Sequence, residues 1–267
     1  MFEINQSNLC IFAKNGDLDN LKLICGYLDK NGKNEEYNLD IAGNHYNHKL
    51  DNYAIRLACE NGHFPVVKYL LENYPQIDIT ACDNYAIRHA CEHGHIDLVK
   101  YLLDNYPEVD VAADNNYAIQ WACYYGHLPV VRYLIVNYPQ VDITADNNCA
   151  IRWACEYGHL PVVKYLLENY PEVDITADNN YAIQQACLYG YIDLVKYLLE
   201  NYPQIDIIGD DYDAFRFACT NGHLPVIKYL LEKYPEIDIT ANDYWAIRYS
   251  CSNRHYEVVK YLVMTCL

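Results

Sequence analysis

Seven alanines, Ala54, Ala86, Ala118, Ala150, Ala182, Ala214 and Ala246, stand 32 residues apart, with no insertion or deletion from Asp51 onward. A fixed period of this length marks a supersecondary unit that cannot bury its apolar face alone and must stack on copies of itself. The chain is therefore expected to form an extended repeat array. A looser unit precedes the regular ones, traced in "SNLCIFAKNGDLDNLKLICGYLDK" and "YNLDIAGN", where Asn15-Gly16 matches Asn61-Gly62 and Leu39-Asp40-Ile41 matches Ile77-Asp78-Ile79. Segment 31–50 carries 14 extra residues, so the first hairpin is expected to be irregular. The resulting organisation is a degenerate N-terminal capping repeat over 1–50, six regular repeats over 51–242, and a truncated C-terminal capping repeat over 243–267.

Each unit reads as helix, helix, hairpin. Asn52 and its equivalents are expected to cap a short helix, "YAIRLACEN", that ends at Gly62, a residue suited to the left-handed conformation past a helix end. The second helix opens on Pro65, Asp97, Pro129, Pro161, Asp193, Pro225 or Glu257, which either lack the donor a first turn cannot use or face the helix dipole with negative charge. It is expected to stop at Asn-Tyr-Pro, with Asn73 in the left-handed form and Pro75 unable to continue. The following "QIDITACDN" alternates like a short extended hairpin arm.

With its 32-residue helix-turn-helix-hairpin units, the pattern resembles the ankyrin repeat, most specifically in "GHLPVVKYLLE", which looks like that family's second helix with its Gly-His opening. The resemblance spans 51–267 clearly and 5–50 weakly. It implies an all-α repeat solenoid. Two features depart from the family pattern: units are one residue short of the usual 33, and Tyr-Ala-Ile-Arg or Tyr-Ala-Ile-Gln replaces the Thr-Pro-Leu-His opening. The "YAIRWAC" and "NGHLPVVKYLLENYP" style is similar to ankyrin proteins encoded by giant DNA viruses of amoebae, which would place the chain in host cytoplasm or in the virion.

Twelve cysteines are present, seven of them at one repeat position, from Cys59 to Cys251. On the first helix, positions equivalent to Ala54, Ile55, Ala58 and Cys59 share one face and scarcely vary, so the cysteines are expected to pack as small hydrophobes and stay reduced. Acidic residues outnumber basic ones by 36 to 19, for a formal charge of −17, which repels nucleic acid and favours a partner with basic patches. The N-terminal stretch lacks the form of a secretion signal, no apolar run reaches membrane-spanning length, and the chain is expected to be a monomer.

The stretch "HACEHGH", 89–95, has the density of a metal site. His95 belongs to the series His63, His127, His159, His223 and His255, with Tyr191 in one unit; the resemblance implies a structural hydrogen-bonding histidine there. His89 and His93 lie four apart on the opposite face, a spacing that can chelate a metal from a helix. Their neighbours in the adjacent units, Leu57, Asn61, Trp121 and Tyr125, add no strong ligand. No metal or cofactor is assigned on this basis, and the pair is taken as polar contacts on the variable face.

That variable face is where function is expected, because stacking residues are committed to neighbouring units. In the first full unit it comprises Tyr53, Leu57, Glu60 and Asn61. By resemblance to ankyrin proteins it lines a concave groove that grips a partner protein. The stripe runs from polar at the ends to aromatic in the middle, where Trp121, Tyr124, Tyr125, Trp153, Tyr157, Leu188 and Tyr189 form the candidate binding centre, flanked by His89 and His93. Large aromatics are enriched among interface hot spots. Self-stacking of the tryptophans into a smooth shield is the competing reading. Arg56, Arg88, Arg152, Arg216 and Arg248, with Gln120 and Gln184 interposed, are expected to bridge to hairpin carboxylates such as Asp83 or Asp243. The hairpin acids, Asp78 to Asp238, stand where many ankyrin proteins have an asparagine that oxygenases hydroxylate.

No phosphate loop, nucleophile elbow or converging carboxylate pair interrupts the repeat template, so the expectation is a non-catalytic protein-interaction scaffold. The alternative is a substrate adaptor for a host ubiquitin ligase, acting through a partner, since no recruitment box is seen in the chain.

Overall fold

A computed structural model describes residues 6–31 and 52–266. The expected irregular hairpin, 31–50, lies almost wholly outside them. Among the described residues there are helices and turns but no strand. The chain divides into two compact units, Met1–Asp142 and Ile143–Leu267. The first holds α1 (Gln6–Asn15), α2 (Leu18–Asn31), α3 (Tyr53–Glu60), α4 (Phe64–Asn73), α5 (Ala81–Glu92), α6 (Ile96–Asn105), α7 (Ala113–Tyr124) and α8 (Leu128–Asn137). The second holds α9 (Ala145–Glu156), α10 (Leu160–Asn169), α11 (Ala177–Leu188), α12 (Ile192–Asn201), α13 (Gly209–Thr220), α14 (Leu224–Lys233), α15 (Ala241–Ser252) and α16 (Tyr256–Thr265). In the first unit α1, α3, α5 and α7 pack side by side in that order; in the second α9, α11, α13 and α15 do the same. Each unit is an all-α repeat solenoid segment with a row of first helices backed by a row of second helices.

The right-handed part of each first helix runs about eight residues, below the length at which an isolated helix is stable in water. Stacking therefore supplies its stability. Ala54, Ile55, Ala58 and Cys59 are fully buried, as are their equivalents in α5, α7, α9 and α11. Small alanine and cysteine side chains let neighbouring first helices approach closely, and Ile55 or its equivalent fills the space between them. Val66, Val67 and Leu70 close the core from the second helix, and Ile77 and Ile79 close it from the hairpin. The cysteine ladder is buried from Cys59 to Cys219, and burial pushes the Cys59, Cys91, Cys155, Cys187 and Cys219 thiols well above their usual range.

 Cys91, within the "HACEHGH" stretch, is one of these core thiols. Cys251 departs from the expectation and is exposed; among the described residues α15 packs chiefly on α13 and α16.

The junction between helices is a lock. Gly62 has φ of +71°, and a Cβ placed there would come within 2.8 Å of three ring atoms of His95. That ring lies over the glycine because its Nε2 reaches the Glu60 carbonyl at 2.9 Å. His63 does the same to Lys14 at 2.7 Å and His223 to Leu188 at 2.8 Å, so the histidine series is structural. Tyr191 packs on Gly158 in the unit lacking the histidine. Pro65, Pro129, Pro161 and Pro225 occupy the first turns of their helices, and Asp97, Asp193 and Glu257 the first turns of the others.

Three local expectations are corrected. Asn52 does not cap α3: it is itself left-handed, with φ 56° and ψ 28°, and its Oδ1 accepts a hydrogen bond from the Asp78 backbone N–H at 3.1 Å. The same bridge joins Asn84 to Asp110, Asn116 to Asp142, Asn148 to Asp174 and Asn180 to Asp206. The hairpin arm is not extended throughout. In α5 it ends in a left-handed turn at Cys82, Asp83 and Asn84, with φ of 56°, 55° and 59°, and only from Tyr85 onward is the helix right-handed. Asp114-Asn115-Asn116, Asp146-Asn147-Asn148 and Asp178-Asn179-Asn180 repeat it. Such a turn costs an ordinary L-residue about 1–2 kcal/mol per position, and aspartate and asparagine tolerate it best. Asn73, finally, is not left-handed; it remains helical and its Nδ2 donates to the Tyr69 carbonyl at 2.8 Å, securing the last turn before Pro75.

Candidate partner-binding surface

The first helix presents to solvent the residues that its core face leaves over. One side of each right-handed segment begins at the Tyr85 position, passes through the His89 and Glu92 positions, and ends at the His93 position beside the helix-ending glycine. These are spaced four, seven and eight residues apart and share one side. Leu57 is an exception to its placement on this stripe, because it is buried. Tyr53 is exposed, and Glu60 and Asn61 are half-buried.

In the first unit the stripe is a connected aromatic row. The Tyr117 ring lies 5.2 Å from Trp121 in a stacked arrangement, Tyr124 lies 4.8 Å from the same indole, and Tyr125 lies 5.9 Å from it. Tyr125 stacks on His93 at 6.4 Å, while His89 lies 3.8 Å from Tyr85 and 5.9 Å from Tyr117. Trp121 and Tyr124 are half-buried by this packing, and Tyr125 stays 46% exposed, so the cluster has a buried base and an accessible edge. Self-stacking and exposure thus occur together in this unit.

In the second unit Trp153 and Leu188 are half-buried, whereas Tyr157 is 38% and Tyr189 is 48% exposed. Phe217 takes the tryptophan position in α13, and in α15 Tyr249 stacks on Trp245 at 4.2 Å and is 44% exposed. The aromatic character therefore reaches the last repeat, which corrects the expectation of a polar end. The signal was available, since 217 and 249 fall on the 32-residue register of Trp121 and Trp153.

A second ladder, also missed, anchors the base of the stripe. Tyr85 donates its hydroxyl proton to Glu60 at 3.0 Å, Tyr117 to Glu92 at 3.2 Å and Tyr181 to Glu156 at 2.9 Å. Burial, with the neighbouring carboxylate adding to it, pushes the Tyr85 and Tyr181 hydroxyls up to about 12. Glutamate and tyrosine change together: where the glutamate position is Leu188 or Thr220, the residue 25 further on is Asp213 or Trp245.

The arginine series borders this row. Arg88 pairs with Asp114 and Arg152 with Asp178, the latter at 2.9 Å. These carboxylates belong to the left-handed turn of the next repeat and stand one register position before the expected Asp83 and Asp243. Cys82 holds that position for Arg56, which meets its Sγ at 3.2 Å, and Arg216 pairs with Asp213 at 3.3 Å. Arg88 also sits 4.6 Å over the Tyr117 ring and Arg216 4.1 Å over Trp245. Gln120 and Gln184 instead donate to the backbone carbonyls of Asn115 and Asn179. The arginines thus hold turns and rings in place.

His89 and His93 have a third donor that the sequence reading overlooked. Glu92, from the same turn, brings Oε2 to 2.6 Å from His89 Nδ1, and one donor atom from each of the three residues lies within 4.8 Å of the others. Burial lowers the pKa of His89 despite the nearby carboxylates of Glu92 and Glu60.

Among the described residues no helix is long and apolar enough to cross a membrane. A family model described as ankyrin repeats in three copies matches residues 9–115, 108–179 and 183–266. Against curated proteins the chain has no significant match.

Proposed function

The chain belongs to the ankyrin-repeat family, and from that premise we propose that it is a non-catalytic scaffold that binds a protein partner through the aromatic edges of its first helices. Ankyrin repeats are generally modules of protein–protein interaction. The observation that carries the specific reading is the exposure of Tyr125, Tyr157 and Tyr189, each at the same place in its repeat and each beside a half-buried Trp or Leu. Tyrosine in this setting offers contact area at low entropic cost, and the packed base holds it in place before a partner arrives. The formal charge of −17 favours a partner with basic patches and disfavours nucleic acid. The repeat style supports a giant-virus source and action in host cytoplasm.

The test is capture from a host lysate by the intact chain and by a variant carrying Trp121→Ala, Trp153→Ala and Tyr157→Ala, with circular dichroism to establish that both are folded. Loss of one or more captured proteins by the folded variant is expected. An unchanged set would remove the aromatic edges as the binding surface.

A further inference from the structure

We propose that His89, Glu92 and His93 form a binding site for one divalent transition-metal ion of the zinc class, at the last turn of α5. Borderline ions of this kind favour imidazole nitrogen with carboxylate oxygen. Residues at i, i+3 and i+4 place all three donors on one side of the helix, within 4.8 Å of one another. Zinc bonds of about 2.0–2.2 Å hold two donors of one ion roughly 3.3 Å apart. His89 Nδ1 and Glu92 Oε2, at 2.6 Å, must therefore separate by less than about 1 Å. The ion takes the place of the proton between them: the neutral His89 imidazole shifts its proton to Nε2, which leaves the Nδ1 lone pair for the ion.

Neighbouring groups fix the donors. His93 Nδ1 lies 3.0 Å from the His89 carbonyl, which makes this nitrogen the protonated one and leaves Nε2 with its lone pair for the ion. Tyr117 holds the Glu92 carboxylate through its hydroxyl, and the Tyr85 ring packs on His89. His95 is set apart from the cluster because its Nε2 is engaged by the Glu60 carbonyl and its Nδ1 packs against Gly62. The His89 and Glu92 side chains are only 18% and 11% exposed, while His93 faces solvent, so the ion has a shielded side and an open one for water or a further donor.

Comparison among the repeats separates this cluster from the common scaffold. Glutamate also stands at Glu60 and Glu156 to accept from a tyrosine, but only this repeat has histidine at both flanking positions. The equivalents are Leu57 with Asn61, Trp121 with Tyr125, Trp153 with Tyr157, Gln185 with Tyr189, Phe217 with Asn221 and Tyr249 with Asn253. The histidines are thus additions to a repeat that stacks without them.

The experiment is calorimetric titration of the tag-free full chain with zinc chloride, together with the visible absorption of the cobalt(II) form. One equivalent is expected to bind with micromolar affinity or tighter, and the cobalt spectrum to report nitrogen and oxygen ligation. The double variant His89→Leu with His93→Asn recreates the residues of the preceding repeat and is expected to fold yet to lose that equivalent. Glu92→Gln keeps an acceptor for Tyr117 and is expected to weaken binding at least about tenfold. Zinc should raise the melting temperature of the wild type and leave that of the double variant unchanged. Failure of the wild type to bind one equivalent, or equal binding by the folded double variant, overturns the assignment. Neither outcome bears on the aromatic edges, which the capture experiment tests separately.

Discussion

Replacing Gly190 by alanine tests the helix-junction lock directly. Gly190 has φ of +77°, and a Cβ there would meet three atoms of the His223 ring within 2.8 Å. The left-handed conformation alone costs an alanine about 1–2 kcal/mol. The ring must also move, and moving it strains or breaks the 2.8 Å contact from His223 Nε2 to the Leu188 carbonyl. Leaving such a part-buried partner unsatisfied costs about 1–3 kcal/mol. Gly190→Ala should therefore destabilise the chain by roughly 2–5 kcal/mol, measured by urea denaturation followed by circular dichroism. The two contributions separate in a double-mutant cycle with His223→Ala, because removing the ring leaves only the backbone cost. In that background Gly190→Ala should cost about 1–2 kcal/mol, giving a coupling of at least about 1 kcal/mol. Gly26→Ala is the opposite control: its Cβ would meet nothing within 4 Å inside helix α2, and a stabilisation of about 0.5–1 kcal/mol is expected. Equal costs for Gly190→Ala with and without His223 would refute the lock.

The left-handed turns predict a ranking at Asn148, whose φ is 59° and whose Oδ1 accepts from the Asp174 N–H at 2.9 Å. Asn148→Gly loses only the bridge, so about 1 kcal/mol is expected, whereas Asn148→Ala loses the bridge and strains the turn, for about 2–3 kcal/mol; denaturant melts of both variants check the order. Titration of the native chain with an aromatic disulfide reagent should find rapid reaction at the exposed Cys82, Cys251 and Cys266, with the buried ladder reacting only after denaturant is added. Rapid reaction of Cys59 or Cys155 in the native chain, read by mass spectrometry, would contradict the burial of that face.

What could be read from the sequence was what the chain states more than once. Ala54, Ile55, Ala58 and Cys59 recur in every regular repeat with little change, so the core face and the thiol ladder followed from period and helical spacing, while the structural histidine at the junction followed from the resemblance to ankyrin repeats. The Asp-Asn-Asn turn recurs in three successive repeats and was still misread. Its side chains suit an N-cap, a hairpin and a left-handed turn almost equally well, and the deciding partner, a backbone N–H 26 residues further on, lies in the next hairpin. Local chemistry was ambiguous there, and only stacking resolves it.

The aromatic stripe and the histidine cluster were hidden for the opposite reason, because repetition itself concealed part of each. Tyr85, Tyr117 and Tyr181 look like template residues, yet Tyr117 supports both the Trp121 ring and the Glu92 carboxylate. Glu92 likewise looks like a copy of Glu60, and a search for a third donor in the adjacent repeats passed over the one supplied by the same turn. A residue shared by several repeats can gain a new role in one of them when its neighbours change. His89 and His93 make that change around Glu92, and Trp121 and Tyr125 make it around Tyr117. In a stacked array the energetic cost of such a change is confined to the exposed side, since Ala86, Ile87, Ala90 and Cys91 continue to fill the core beneath it. Function in this chain is therefore to be sought where a variable pair flanks a recurrent residue, rather than at variable positions taken singly.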